Sequence, residues 1–193
     1  MEPNPKLCRL CRLLLQKFAP TITEKERRTI GQVKALLDSG DMTIQSLVGQ
    51  FQGPGYTFDS DYLTASKKAL LYVSLNIDFV KLDIPISFWL SPKEIVENKI
   101  ADDEDHAVFL CTLLLALGDA NAEVVIAEMT DLTTHAFVLS QYRGLYYLFD
   151  STQENASPLN GTKEEIFSQY VSNGSRIKRF LYKFNHSNYE QFL

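Results

Sequence analysis

Over the first 75 residues, apolar positions recur at the three-to-four spacing of a helix face; from residue 122 onward the period becomes two. Leu7, Leu10, Leu14 and Phe18 set the first helical pattern. The segment TITEKERRTIGQVKALLDSG predicts a further helix, with Thr23 and Glu26 as a capping-box pair and Gly40 as its stop. FQGPGYTF (51–58) is a loop broken by Gly53, Pro54 and Gly55, and SDYLTASKKALLYVSL returns to the helical period. FVKLDIPISFW (79–89) is extended or irregular, limited by Pro85. SPKE (91–94) starts a short helix: Ser91 caps it, Pro92 suits the first helical position and Glu94 reaches back. That helix ends near Asn98. From His106 to Leu117 the chain is apolar nearly all round, which predicts a helix buried on most sides and stopped by Gly118.

AEVVIAEM (122–129), HAFVLSQY (135–142) and LYYLFDS (145–151) predict strands, with Arg143–Gly144 as a two-residue hairpin turn. TKEEIFSQYV is a short helix, and RIKRFLYKF is a last strand of alternating charge. Helices, a central buried helix and then an antiparallel sheet make an α+β fold. A weak boundary lies near residues 52–56.

Composition narrows the function classes. The chain has 193 residues, enough for one full core, and its net charge of −5 argues against nucleic acid as a partner. The early apolar run is interrupted by Arg9 and Arg12, and no stretch has the roughly 18 apolar residues of a membrane span. The expectation is a cytoplasmic protein with no membrane partner. Three cysteines make no disulfide framework. Cys8 and Cys11 form a single CxxC without the second pair a zinc site would want, and are expected as half-buried positions on one helix face.

Chemistry concentrates at three points: the acidic start of the buried helix (Asp102 to Asp105), His135 at the start of a strand, and Asp150 at the end of the next. A tight hairpin brings a strand's start beside its partner's end, so His135 and Asp150 are plausible neighbours. An Asp beside a His fixes its tautomer and supports the imidazolium. A helix N-terminus facing that pair would stabilise an anion there.

These segments resemble the transglutaminase-like cysteine protease superfamily, whose members have a papain-like fold. WLSPKE (89–94), ADDEDHA (101–107), LALG (115–118), HAFVL (135–139) and YYLFDST (146–152) follow that superfamily's order and spacing over about a third of the chain. The N-terminal ~80 residues carry no part of this resemblance; with the weak boundary near 52–56, the expected organisation is a helical N-terminal extension at 1–55 and a transglutaminase-like domain at 56–193. The resemblance implies that Asp103 stands at the nucleophilic Cys position, with His135 and Asp150 retained as its partners. A carboxylate is a weak nucleophile, and its acyl product would be an anhydride. The EDHAVFLC helix (104–111) is also similar to that of degenerate transglutaminase-like domains of some ciliary and centrosomal proteins, thought to bind peptides or partners.

The expected role is therefore a non-catalytic domain binding a peptide or protein segment in the former substrate cleft, with Asp103 preserving the charge pattern of a thiolate–imidazolium pair. The alternative is an active hydrolase or acyl transferase with a rearranged, metal-assisted or engineered nucleophile position. Cys111, eight residues beyond Asp103, is about 12 Å further along the helix and deep in its apolar segment, so a structural role is expected. Asp102, Asp103 and Glu104 could hold calcium, but the simpler expectation is no metal and no cofactor, with acidic residues favouring a helix start. Trp89 and His106 are candidate walls of the cleft.

Overall fold

The computed structural model describes residues 4–82 and 84–192. Seven helices run as α1 (Pro5–Lys25), α2 (Ile30–Lys34), α3 (Met42–Phe51), α4 (Phe58–Asn76), α5 (Pro92–Asn98), α6 (Asp103–Ala116) and α7 (Lys163–Gln169) among the described residues. The strands are β1 (Asp78–Phe79), β2 (Ile100–Ala101), β3 (Glu123–Met129), β4 (Thr134–Tyr142), β5 (Leu145–Phe149), β6 (Leu159–Gly161), β7 (Val171–Ser172), β8 (Ser175–Phe184) and β9 (Tyr189–Gln191).

Strands pair in the order β6-β5-β4-β3-β8-β7, with β9 on β8, and every pair of this sheet is antiparallel. β1 and β2 form a separate parallel pair. The side-chain period of two splits the central strands between two cores. Val124, Ile126, Ala136 and Val138 join the cluster built on α3, α4 and α6, whereas Val125, Ala127, Phe137 and Leu139 join Ile166 of α7 and Tyr170. Both faces are covered, so β3 and β4 read as nearly continuous apolar runs. The main core is continuous across residue 55: Ile44, Leu47, Val48 and Phe51 of α3 pack with Tyr62, Leu70 and Phe109.

The buried helix is where the apolar pattern places it. Every residue of α6 from Asp105 to Leu115 is buried. Asp102 caps it, accepting from the Asp105 backbone N–H. Gly118 ends it at φ 98°, where a side chain would be strained. The Gly118 and Asp119 N–H groups bond back to the Leu115 and Leu114 carbonyls, closing a Schellman turn. The Ser91–Glu94 capping box on α5 is also present in both legs. Arg143 and Gly144 have φ of 50° and 80°, the left-handed pair a two-residue turn requires.

Two expectations are corrected at the N-terminus. The Thr23–Glu26 box does not form, because α1 runs through Thr23 to Lys25. The box is instead Thr29–Gln32, which starts α2, and that helix ends at Lys34 rather than Gly40. Thr23 is occupied otherwise: its hydroxyl accepts the Ser87 backbone N–H. Cys8 and Cys11 are exposed, not half-buried, because they lie in a stretch of α1, Asn4 to Phe18, in which every residue is exposed.

Candidate functional site

His135 is the second residue of β4 and Asp150 follows β5. The register Val138↔Phe149 leaves both just beyond the paired residues of the hairpin, at the same end of the sheet. The first turn of α6 meets them there. The His135 Nδ1 lies 3.1 Å from Asp103 Oδ2, and its Nε2 lies 3.0 Å from Asp150 Oδ2. One imidazole is thus held between two carboxylates, with each ring nitrogen committed to one of them.

Each carboxylate is itself held. Asp103 Oδ2 also accepts the Ala136 backbone N–H at 3.1 Å. Asp150 is 5% exposed, and Oδ1 accepts from the Thr152 N–H and hydroxyl. Asp150 Oδ2 accepts from the Gln153 amide at 2.8 Å and the Tyr170 hydroxyl at 2.6 Å. The Tyr170 ring also stacks beside His135, with centroids 6.3 Å apart. Tyr170 and Gln153 carried no motif; only the pairing of the C-terminal segments brings them to Asp150.

The electrostatics follow from this enclosure. Burial opposes a charged His135, but the hydrogen bonds and negative charge of Asp103 and Asp150 outweigh it and lift its pKa to about 9. Burial would likewise raise Asp150, yet His135, Tyr170 and Gln153 hold it down at about 2. At neutral pH the ring is an imidazolium, donating to both carboxylates. The neighbours behave oppositely. Burial, then repulsion from Asp102 and Asp103, pushes Glu104 up to about 8. Burial followed by the nearby Asp102 does the same to Asp105, also to about 8. Asp102 rises to about 6, chiefly from burial.

A cleft of about 400 Å³ opens beside Asp103 and His135. One wall carries Phe79, Leu82, Ile84 and Ile86; the other carries Asp103, Glu104 and His135. Trp89 and His106 are not brought to it. Trp89 packs edge-on against Phe184, and its carbonyl accepts from Arg28 Nη2 at 2.8 Å. His106 is 1% exposed, and its Nδ1 is 3.0 Å from the Ser151 hydroxyl. Burial drives its pKa down to about 4, so it is neutral. Cys111 is fully buried in α6, and burial pushes its thiol well above the ordinary range, so it is not poised as a nucleophile. No three His, Cys, Asp or Glu side chains converge at metal-binding geometry among the described residues.

Comparison with known proteins gives two results. A family model described as the CEP76 peptidase-like domain matches residues 87–188, a span that holds Asp103, His135 and Asp150. Among solved structures, LapG of Legionella pneumophila matches at 16% identity with a TM-score of 0.51, over 77% of this chain and 84% of that one. Its calcium-bound form matches at 16% identity and TM-score 0.51, over 77% and 86%. A TGase structure overlaps at 14% identity and TM-score 0.46, over 83% of this chain and 43% of that one. No curated protein sequence matches the chain. The fold is α+β of the transglutaminase-like, papain-related kind.

Proposed function

Because the chain belongs to the CEP76 peptidase-like domain family, we propose that it is a pseudoenzyme that binds a peptide or protein segment in the cleft beside His135. In this reading Asp103 stands where active members of the superfamily carry the thiolate. The observation that carries it is the Asp103 carboxylate, whose Oδ2 lies 3.1 Å from His135 Nδ1, where an active site would hold its sulfur. An imidazolium beside an anion is also the resting state of an active thiolate site, so the charge on His135 does not separate the two, whereas the weak nucleophilicity of a carboxylate does. Asp103 therefore keeps the charge pattern of a thiolate–imidazolium pair without a competent nucleophile. Loss of the thiol without loss of the anion also avoids a buried imidazolium lacking a partner.

The test is Asp103→Cys. The new thiol should sit against His135 at the α6 N-terminus, with a pKa well below the usual ~8.5, and should react with iodoacetamide at pH 6 while Cys111 does not. The wild type should leave a casein digest unchanged by mass spectrometry over a day. Turnover of those peptides by the wild type, or an NMR titration showing His135 neutral at pH 7, would overturn the reading.

A further inference from the structure

The N-terminal two-thirds of α1 stand apart from the domain. Every residue from Asn4 to Phe18 is exposed, and Ala19 is the buried residue of the helix. A free-standing helix of that length is marginal in water, so this one needs an apolar surface to lie on. At about 100° per residue, Leu7, Leu10, Cys11, Leu14, Leu15 and Phe18 fall within an arc of about 140°. The leucines and the phenylalanine of that arc are 42% to 57% exposed. Lys6, Arg9 and Lys17 lie on the other side, interrupted by Leu13, while Arg12 falls between Ala19 and Thr23, toward the domain. No Asp or Glu occurs from Asn4 to Thr23, although the chain as a whole carries a net charge of −5. Ala19, which is buried, Thr23, which accepts from Ser87, and Gln16, which shares a pocket with Pro85 and Trp89, all fall outside the apolar arc. The apolar face therefore points away from the domain.

We propose that α1 is an interfacial helix that lays this face on an anionic membrane surface. An apolar arc flanked by cations is the pattern of a helix lying in the headgroup plane. No spanning segment is needed, and no helix among the described residues is long and apolar enough to cross a bilayer. A second copy is a poor occupant, because pairing two such helices would set Lys6, Arg9 and Lys17 of both copies together, and neither helix carries an Asp or Glu from Asn4 to Thr23. A partner helix would cover only the narrow two-positions-per-heptad seam, whereas a bilayer takes the whole arc.

The experiment is co-sedimentation of the full chain with phosphatidylcholine vesicles and with vesicles holding ~30% phosphatidylserine, at 0.1 M salt. Binding to the anionic vesicles should be at least about tenfold tighter, since each cation near such a surface contributes roughly fivefold. Lys6→Glu/Arg9→Glu and Leu10→Glu/Leu14→Glu should each abolish it without changing the thermal unfolding of the domain. In a Cys8→Ser variant, an environment-sensitive dye on Cys11 should shift to the blue on anionic vesicles. The proposal fails if anionic vesicles do not retain the protein, if Lys6→Glu/Arg9→Glu binds as the wild type does, or if the Leu10→Glu/Leu14→Glu variant instead converts a stable dimer to monomer while vesicles leave both unbound.

Discussion

His135→Ala should lower the free energy of unfolding by about 3 kcal/mol at pH 6, by urea denaturation. The loss comes from what is left behind rather than from the contact removed. Without the imidazolium, Asp150, 5% exposed in the wild type, has no positive charge to balance it, and Asp103 loses the donor 3.1 Å away. Thr152, Gln153 and Tyr170 still donate to Asp150, which keeps the penalty below that of a bare buried charge. His135→Gln should cost less, because its amide can still donate to one carboxylate. The His135→Ala penalty should shrink as pH falls toward the Asp150 pKa of about 2, since a protonated Asp150 no longer needs the partner. A loss below about 1 kcal/mol at pH 6 would mean that the two carboxylates do not depend on the ring.

Stability should peak in the acidic range, near pH 4 to 5, and fall by about 3 kcal/mol or more by pH 9. The signs follow group by group. The folded pKa of His135 is raised from 6.5 to about 9, so its contribution is full below pH 6.5 and is lost as pH rises through 9. Asp102, Glu104 and Asp105 are raised to about 6, 8 and 8, so the unfolded chain gives up their protons first. They penalise the folded state increasingly between pH 4 and 8. Asp119, raised mainly by burial, acts in the same sense. Asp150 is lowered from 3.8 to about 2, so its contribution is present above pH 3.8 and is lost as pH falls through 2. Urea midpoints at pH 5 and pH 9 measure the difference, and Glu104→Gln should flatten the slope. A protein more stable at pH 9 than at pH 5 would contradict this account.

The parts of the fold that could be read from the chain are those in which local pattern and tertiary environment agree. α6 is apolar all round and is buried all round. The Ser91–Glu94 box and the Arg143–Gly144 turn depend on residues only a few positions apart, so their geometry is written into neighbouring side chains. The Thr23–Glu26 box met the same local criteria and failed, because Thr29–Gln32 offers an equally good start and Thr23 is taken by Ser87, 64 residues away. β6, β7 and β9 are two or three residues long, too short for a period of two to register.

His135, Asp150 and the acidic run from Asp102 to Asp105 could be singled out because a strand beginning with His, a hairpin ending in Asp and an acidic helix start are each visible along the chain, whereas the choice of Asp103 within that run came from the resemblance to the transglutaminase-like superfamily. Which nitrogen of His135 meets which carboxylate is a three-dimensional matter, settled where α6 crosses the open end of the β4–β5 hairpin. The same crossing enlists Tyr170 and Gln153 and excludes Trp89 and His106 from the cleft. Hydrophobic periodicity and capping act over a few residues, so the chain alone dictates that there is a buried helix, a hairpin and a run of negative charge at a helix N-terminus. Burial and charge coupling act through space between elements distant in sequence. Only the packed structure could therefore make His135 a locked imidazolium and leave the leucine face of α1 exposed among the described residues.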